Sequence, residues 1–204
     1  MAQIKVRHLK RILRRNPEFR CPVYIETGLH RGRRIALCAP FFEEAHGIEL
    51  DEHWHTVSAE RTRSMPNVEV HHGDTRDLLP DILDRFPATS CFVHLDAHFC
   101  RTDPPIQKSE FPLWDELALL RERSVRDIIS VDDVHTFGKP RDDLRYAPGA
   151  EEWEGVTAEN IIEFFGERVH DHATIAGAFL VWKLGADDRP PSPPPSRLDR
   201  LFPR

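Results

Sequence analysis

Six carboxylates recur just after short apolar runs in this chain: Glu26, Glu49, Asp74, Asp96 and the adjacent pair Asp132 and Asp133. A carboxylate accepts hydrogen bonds from hydroxyl and N–H donors and ligates hard cations. Around Glu26 the run Glu26-Thr27-Gly28-Leu29-His30-Arg31-Gly32 places glycines where a tight turn lets a ligand approach the backbone closely. The full dinucleotide pattern is absent, because His30 stands at the middle glycine position. Glu49 follows about 20 residues later, the spacing at which an acid can accept both hydroxyls of a ribose. Asp74, followed by Thr75, suits an adenine amino group or a helix cap, and the two roles can coexist.

Asp96, Asp132 and Asp133 form a second set, flanked by His98 and His135. Carboxylates brought into one crevice raise one another's pKa, and a divalent cation relieves the repulsion. Oxygen ligands suit Mg2+, Ca2+ or Mn2+, and two histidines within reach admit Mn2+, Fe2+ or Zn2+. The expected metal ligands are therefore Asp96, Asp132, Asp133, His98 and His135, with Mg2+ first and Mn2+ next. His135 and His98 are the candidate general bases, with Asp96 beside them and His30 as a third, weaker base.

Convergence of these groups needs a fold that lines up strand ends. Strands are expected over 23–26, 45–50, 68–72, 91–95 and 127–131, with helices over 33–42, 52–64, 76–86, 112–123 and 157–165. Two further strands, 169–174 and 178–184, are joined by Ile175-Ala176-Gly177 as a hairpin. Alternation of this kind predicts an α/β domain: a doubly wound, mostly parallel sheet with a C-terminal antiparallel hairpin. Ligands bind such sheets beyond the carboxyl ends of the strands, where the strand order reverses. Residues 1–20 read as a basic helix or extension carrying Lys5, Arg7, Lys10, Arg11, Arg14 and Arg15, and 21–184 as the α/β domain. The stretch 185–204 holds six prolines and reads as a disordered or extended tail.

In this order and spacing, the motifs Ile25-Glu-Thr-Gly-Leu-His-Arg-Gly32, Gly47-Ile-Glu-Leu-Asp51, Val70-His-His-Gly-Asp74, Val93-His-Leu-Asp-Ala-His98 and Val131-Asp-Asp-Val-His135 resemble those of class I S-adenosylmethionine-dependent methyltransferases. The resemblance spans residues 20–184 and implies a seven-stranded Rossmann-like sheet with a reversed last strand. It implies that Glu26, Thr27, Gly28, His30 and Gly32 line the methionine end of the cofactor, with Asp96 close by. It implies Glu49 on the ribose and Asp74 with Thr75 at the adenine. The acids after the fourth and fifth strands are similar to those of metal-dependent O-methyltransferases of the catechol and macrolide-sugar types. The expected activity is methyl transfer to a hydroxyl of a small molecule, natural product or sugar. A non-methylating metal enzyme, hydroxylase or hydrolase, and a non-catalytic cofactor-binding module are the alternatives on this fold.

With 204 residues, 40% hydrophobic, the chain suits one packed domain. Its net charge of −6 argues against a nucleic-acid partner. No apolar run reaches the roughly 18 residues of a membrane span, and the basic start lacks a signal-peptide core, so a cytoplasmic protein is expected. Cys21, Cys38, Cys91 and Cys100 show neither C-x-x-C nor zinc spacing and read as thiols. The loops 97–111 and 134–156 carry Phe99, Phe111, Phe137, Tyr146 and Trp153, which with Trp114 on the helix between them could wall the substrate; core packing is the alternative, and it suits Trp114 best. The loops also carry Arg101, Lys108, Lys139 and Arg141 for an acidic substrate group. Little chain precedes the domain to cover a site, so a homodimer is expected.

Overall fold

The computed structural model describes residues 4–97, 111–139 and 153–188. Of the expected tail 185–204, residues 189–204 lie outside them, as do His98, Cys100 and the loop residues Phe99, Arg101, Lys108, Arg141 and Tyr146; Asp188, at the tail's start, is held by Arg126 at 2.6 Å.

Thirteen elements are described: α1 (Val6–Arg15), β1 (Val23–Thr27), α2 (Arg33–Cys38), β2 (Glu44–Glu49), α3 (Glu52–Thr62), β3 (Val68–His72), α4 (Thr75–Asp84), β4 (Cys91–Leu95), α5 (Leu113–Glu122), β5 (Asp127–Val131), α6 (Ala158–Phe165), β6 (Val169–Ile175) and β7 (Ala178–Lys183). The strands form one seven-stranded sheet in the order β3-β2-β1-β4-β5-β7-β6. β3, β2, β1, β4 and β5 run parallel, and β7 is antiparallel to both β5 and β6. Order reverses between β1 and β4, which makes their carboxyl ends the switch point.

The sheet is buried on both faces, so its central strands read as continuous apolar runs. Alternate residues feed two cores. Val23, Ile25, Val93, Leu95, Ile129, Val131 and Val181 pack with Leu79, Leu83, Leu117, Leu120, Ile161 and Phe165 from α4, α5 and α6. Tyr24, Phe92, Ile128, Leu180 and Trp182 pack on the other side with Leu9 and Ile12 of α1 and Ile35 and Cys38 of α2. Leu9 and Ile12 are fully buried, each contributing about 1.5–3 kcal/mol of transfer free energy. α1 is therefore part of the packed body, and Arg15 ties it to Asp171 of β6 at 2.5 Å.

Most boundaries fall within a residue or two of expectation. The main exception is the second helix, expected over 33–42. It stops at Cys38, and Pro40 enters a 3₁₀ turn over Ala39–Phe41, where its missing N–H costs nothing. The hairpin turns through Ala176 and Gly177, both at positive φ (54° and 87°), the arrangement that matches strand twist. No helix among the described residues is long and apolar enough to cross a membrane.

Candidate active site

The carboxyl ends of β1, β4 and β5 are tied together by main-chain bonds. Asp96 N–H donates to the Thr27 carbonyl at 3.1 Å, Asp132 N–H to the Leu95 carbonyl at 3.1 Å, and Gly28 N–H to the Ile48 carbonyl at 2.9 Å. Gly28 is forced by this closeness: a Cβ there would lie 2.2 Å from the Asp96 carbonyl oxygen, and its φ is +73°. Gly32, at φ +63°, opens α2 and lets Ser58 of α3 approach.

Two polar layers lie on the α1/α2 side of the sheet. In the lower layer Glu26, His94 and Ser130 are neighbours in register across β1, β4 and β5. His94 Nδ1 is 2.9 Å from Ser130 Oγ, and the Tyr24 hydroxyl donates to Glu26 at 2.8 Å. In the upper layer stand Asp96 and Asp132. Arg34 reaches up from α2 between the layers, donating to Asp96 at 2.5 Å and to Asp132 at 2.6 Å, and touching His94 Nε2. Burial pushes the Glu26 carboxyl up to about 8, against the pull of Arg34. Burial, then the Asp96 charge, lifts Asp132 to about 6, again opposed by Arg34.

The other expected residues are placed as follows. Glu49 is buried and accepts from the backbone N–H of His30 at 2.6 Å and of Asp51 at 2.9 Å. His30 itself takes a left-handed conformation (φ 47°) and lays its ring edge-on to Trp54 of α3, 4.1 Å between centroids. Asp74 caps α4 through Arg76 N–H and binds the Arg76 guanidinium at 2.7 Å. The Thr75 hydroxyl donates to Glu116 of α5 at 2.8 Å. The Thr27 side chain is buried beside Asp96 N–H, 3.4 Å away. Asp133, left-handed at φ 53°, turns its carboxylate to His135 at 3.5 Å, and the His135 side chain is 57% exposed.

The structure thus joins Asp96 and Asp132 with His94 and Arg34 and sends Asp133 to His135. His94, Asp96 and Asp132 offer ligand atoms within 4.8 Å of one another. As a divalent-metal site they fit poorly, because one guanidinium already occupies both carboxylates. Three of the expected wall aromatics pack together: Trp153 is buried against Phe111 at 4.8 Å and Phe137 at 5.9 Å. Trp114 meets Phe164 of α6 at 5.6 Å.

No protein-family model and no curated protein sequence matches the chain. Solved structures do. A putative caffeoyl-CoA O-methyltransferase from Staphylococcus aureus aligns over 90% of this chain and 85% of its own, at 10% identity and a TM-score of 0.57. The O-methyltransferase TomG from Streptomyces achromogenes, solved with S-adenosylmethionine, aligns over 90% and 82%, at 18% identity and a TM-score of 0.53. An rRNA methylase from Streptococcus thermophilus aligns over 90% and 99%, at 14% identity and a TM-score of 0.51. Of CalS10, an amino pentose methyltransferase from Micromonospora echinaspora, the chain spans 46% of the length, at a TM-score of 0.41. At these identities what is shared is the fold, and the fold is the Rossmann-like sheet of S-adenosylmethionine-dependent methyltransferases, as the motifs implied.

Proposed function

We propose that this protein transfers a methyl group from S-adenosylmethionine to a hydroxyl of a small molecule or sugar. One observation carries the reading: among the described residues the switch-point crevice holds more acid than base. Arg34 is shared by Asp96 and Asp132, leaving a surplus of negative charge where a cationic ligand would sit. S-adenosylmethionine brings a sulfonium methyl and an ammonium group, and so supplies both the positive charge and the electrophile. Asp96 is the residue proposed to meet the ammonium end, and Glu49, held open by the His30 and Asp51 amides, to meet the ribose hydroxyls. Gly28 and Gly32 keep the turn between them bare of side chains. His135, exposed at the rim and oriented by Asp133, is the proposed acceptor of the substrate hydroxyl's proton.

The solved neighbours support this chemistry by name and leave the acceptor open, since an rRNA methylase shares the sheet. His94, Asp96 and Asp132, the carboxylates already bridged by Arg34, do not fit a Mg2+ or Mn2+ ion. Because Arg34 already relieves their repulsion, no step of the proposed reaction depends on one.

Calorimetric titration with S-adenosylhomocysteine tests the reading. Micromolar binding is expected, unchanged by Mg2+ or chelator. Removal of one charge-assisted contact in Glu49→Gln should weaken it about 10- to 100-fold. An absence of binding under every condition would sink the methyltransferase reading.

A further inference from the structure

A second cluster of ligating side chains lies on the outer strands, apart from the crevice. In the β2–β3 register His46 stands opposite Glu69 and Ile48 opposite His71. Residues two apart on a strand share a face, so His46, Glu69 and His71 project together. His46 is buried, at 2% exposure, with the Phe86 ring 5.4 Å away. Its Nδ1 is 3.3 Å from His71 Nε2 and 3.5 Å from Glu69 Oε2. All three residues offer ligand atoms within 4.8 Å of one another.

Those separations have a geometric meaning. Zinc binds imidazole nitrogen and carboxylate oxygen at about 2.0–2.2 Å in a tetrahedron, whose edges are then about 3.3–3.6 Å. Both contacts of His46 Nδ1 fall on that edge length. The far side of the same ring is also suited to a ligand role. His46 Nε2 makes no hydrogen bond, yet faces Glu44 Oε2 at 3.5 Å. A carboxylate behind the second ring nitrogen is the usual orienting partner of a metal-bound histidine.

We propose that His46, Glu69 and His71 form a zinc site, oriented by Glu44 and completed by a water molecule. Glu69 Oε2 also accepts from Arg85 at 2.8 Å, and Arg85, 47% exposed, can swing into solvent when the ion arrives. Two imidazoles and one carboxylate favour Zn2+ over Mg2+ or Ca2+. The ion would staple edge strand β3 to β2, the two strands that lead into Asp74 and Glu49. The site stands independently of the methyltransferase reading.

The test uses the full-length chain without a histidine tag, stripped by chelator, then titrated with Zn2+ and separately with Co2+. One equivalent of Zn2+ should bind, and Co2+ should give the intense visible absorption of a four-coordinate site. His71→Ala and Glu69→Gln alter partly exposed positions on the edge strand. Each should weaken Zn2+ binding by more than about 100-fold and Glu44→Gln by about 10-fold, with the circular dichroism spectrum unchanged. Asp132→Asn should leave it intact. Failure of the wild-type chain to bind stoichiometrically would overturn the site. So would binding that survives both His71→Ala and Glu69→Gln, or that is lost in Asp132→Asn.

Discussion

The two ends of β5 bury charge in different company. At its start Asp127 is fully buried and faces Arg123 at 3.0 Å and Lys183 at 3.5 Å. Both cations there also spend their donors on main-chain carbonyls: Lys183 on Arg123, Val125 and Leu184, and Arg123 on Leu83, Phe86 and Thr89. At the other end Arg34 finds only side chains, Asp96, Asp132 and His94. Positive charge is in excess at the first end and absorbed by carbonyl dipoles. Negative charge is in excess at the second and opens toward solvent, Asp96 being 20% exposed there. A charge network that ends on backbone serves the fold. One that ends on side chains, with a surplus among the described residues, is the one proposed to meet a ligand.

Asp127→Ala should separate the two most sharply. It strands two buried cations, which costs about 3–5 kcal/mol in urea denaturation. S-adenosylhomocysteine affinity of the still-folded protein should stay within about twofold; a larger loss would mean that the ends are coupled. Asp96→Asn should show the reverse pattern. Loss of one partly exposed partner costs about 1 kcal/mol, while cofactor affinity falls about tenfold or more. Equal effects on stability and binding would erase the distinction between the ends.

Glu26 gives an effect of a different kind, one of pH. Burial raises its carboxyl from 4.5 to about 8. A group raised on folding adds stability that is complete below the unfolded value and disappears as pH climbs through the folded one. Wild-type melting temperature should therefore fall between pH 5 and 9 through this group, and Glu26→Gln should flatten that slope. An unchanged slope would show that Glu26 stays ionised beside Arg34.

The sheet and its order of elements were legible because buried parallel strands leave short apolar runs, each closed by an acid or a glycine turn. Glu26, Glu49, Asp96 and Asp132 could be placed at strand ends for that reason. Arg34, His94 and Ser130 were not singled out. His94 fell inside the expected strand 91–95, and Arg34 inside the expected helix 33–42. Their meeting depends on register between β1, β4 and β5, which is set by long-range pairing. A signal did exist: His94 and Asp96, and Ser130 and Asp132, are pairs two apart, polar on one face of strands otherwise apolar, with Glu26 opposite His94. Of the aromatics expected to wall the substrate or fill the core, some fill the core for a related reason. Trp153 and Phe137 lie in loop sequence, but the space beside α5 and α6 needed filling, and burying rings there outweighs leaving them in solvent.

The hairpin places the last of the described strands inside the sheet: β7 lies between β5 and β6. Its turn carbonyl, at Gly177, receives the Val134 N–H at 3.0 Å, next to Asp132 and Asp133. During synthesis the ribosome delivers β1 through β5 first, and these can pair at once. The strand that carries Lys183 to Asp127 and braces the Asp133 turn arrives only after residue 178. A nascent chain halted before that point would display an unfinished edge at β5, a template for another copy. A pause in translation before β7 emerges is therefore expected to lower yield by leaving that edge exposed.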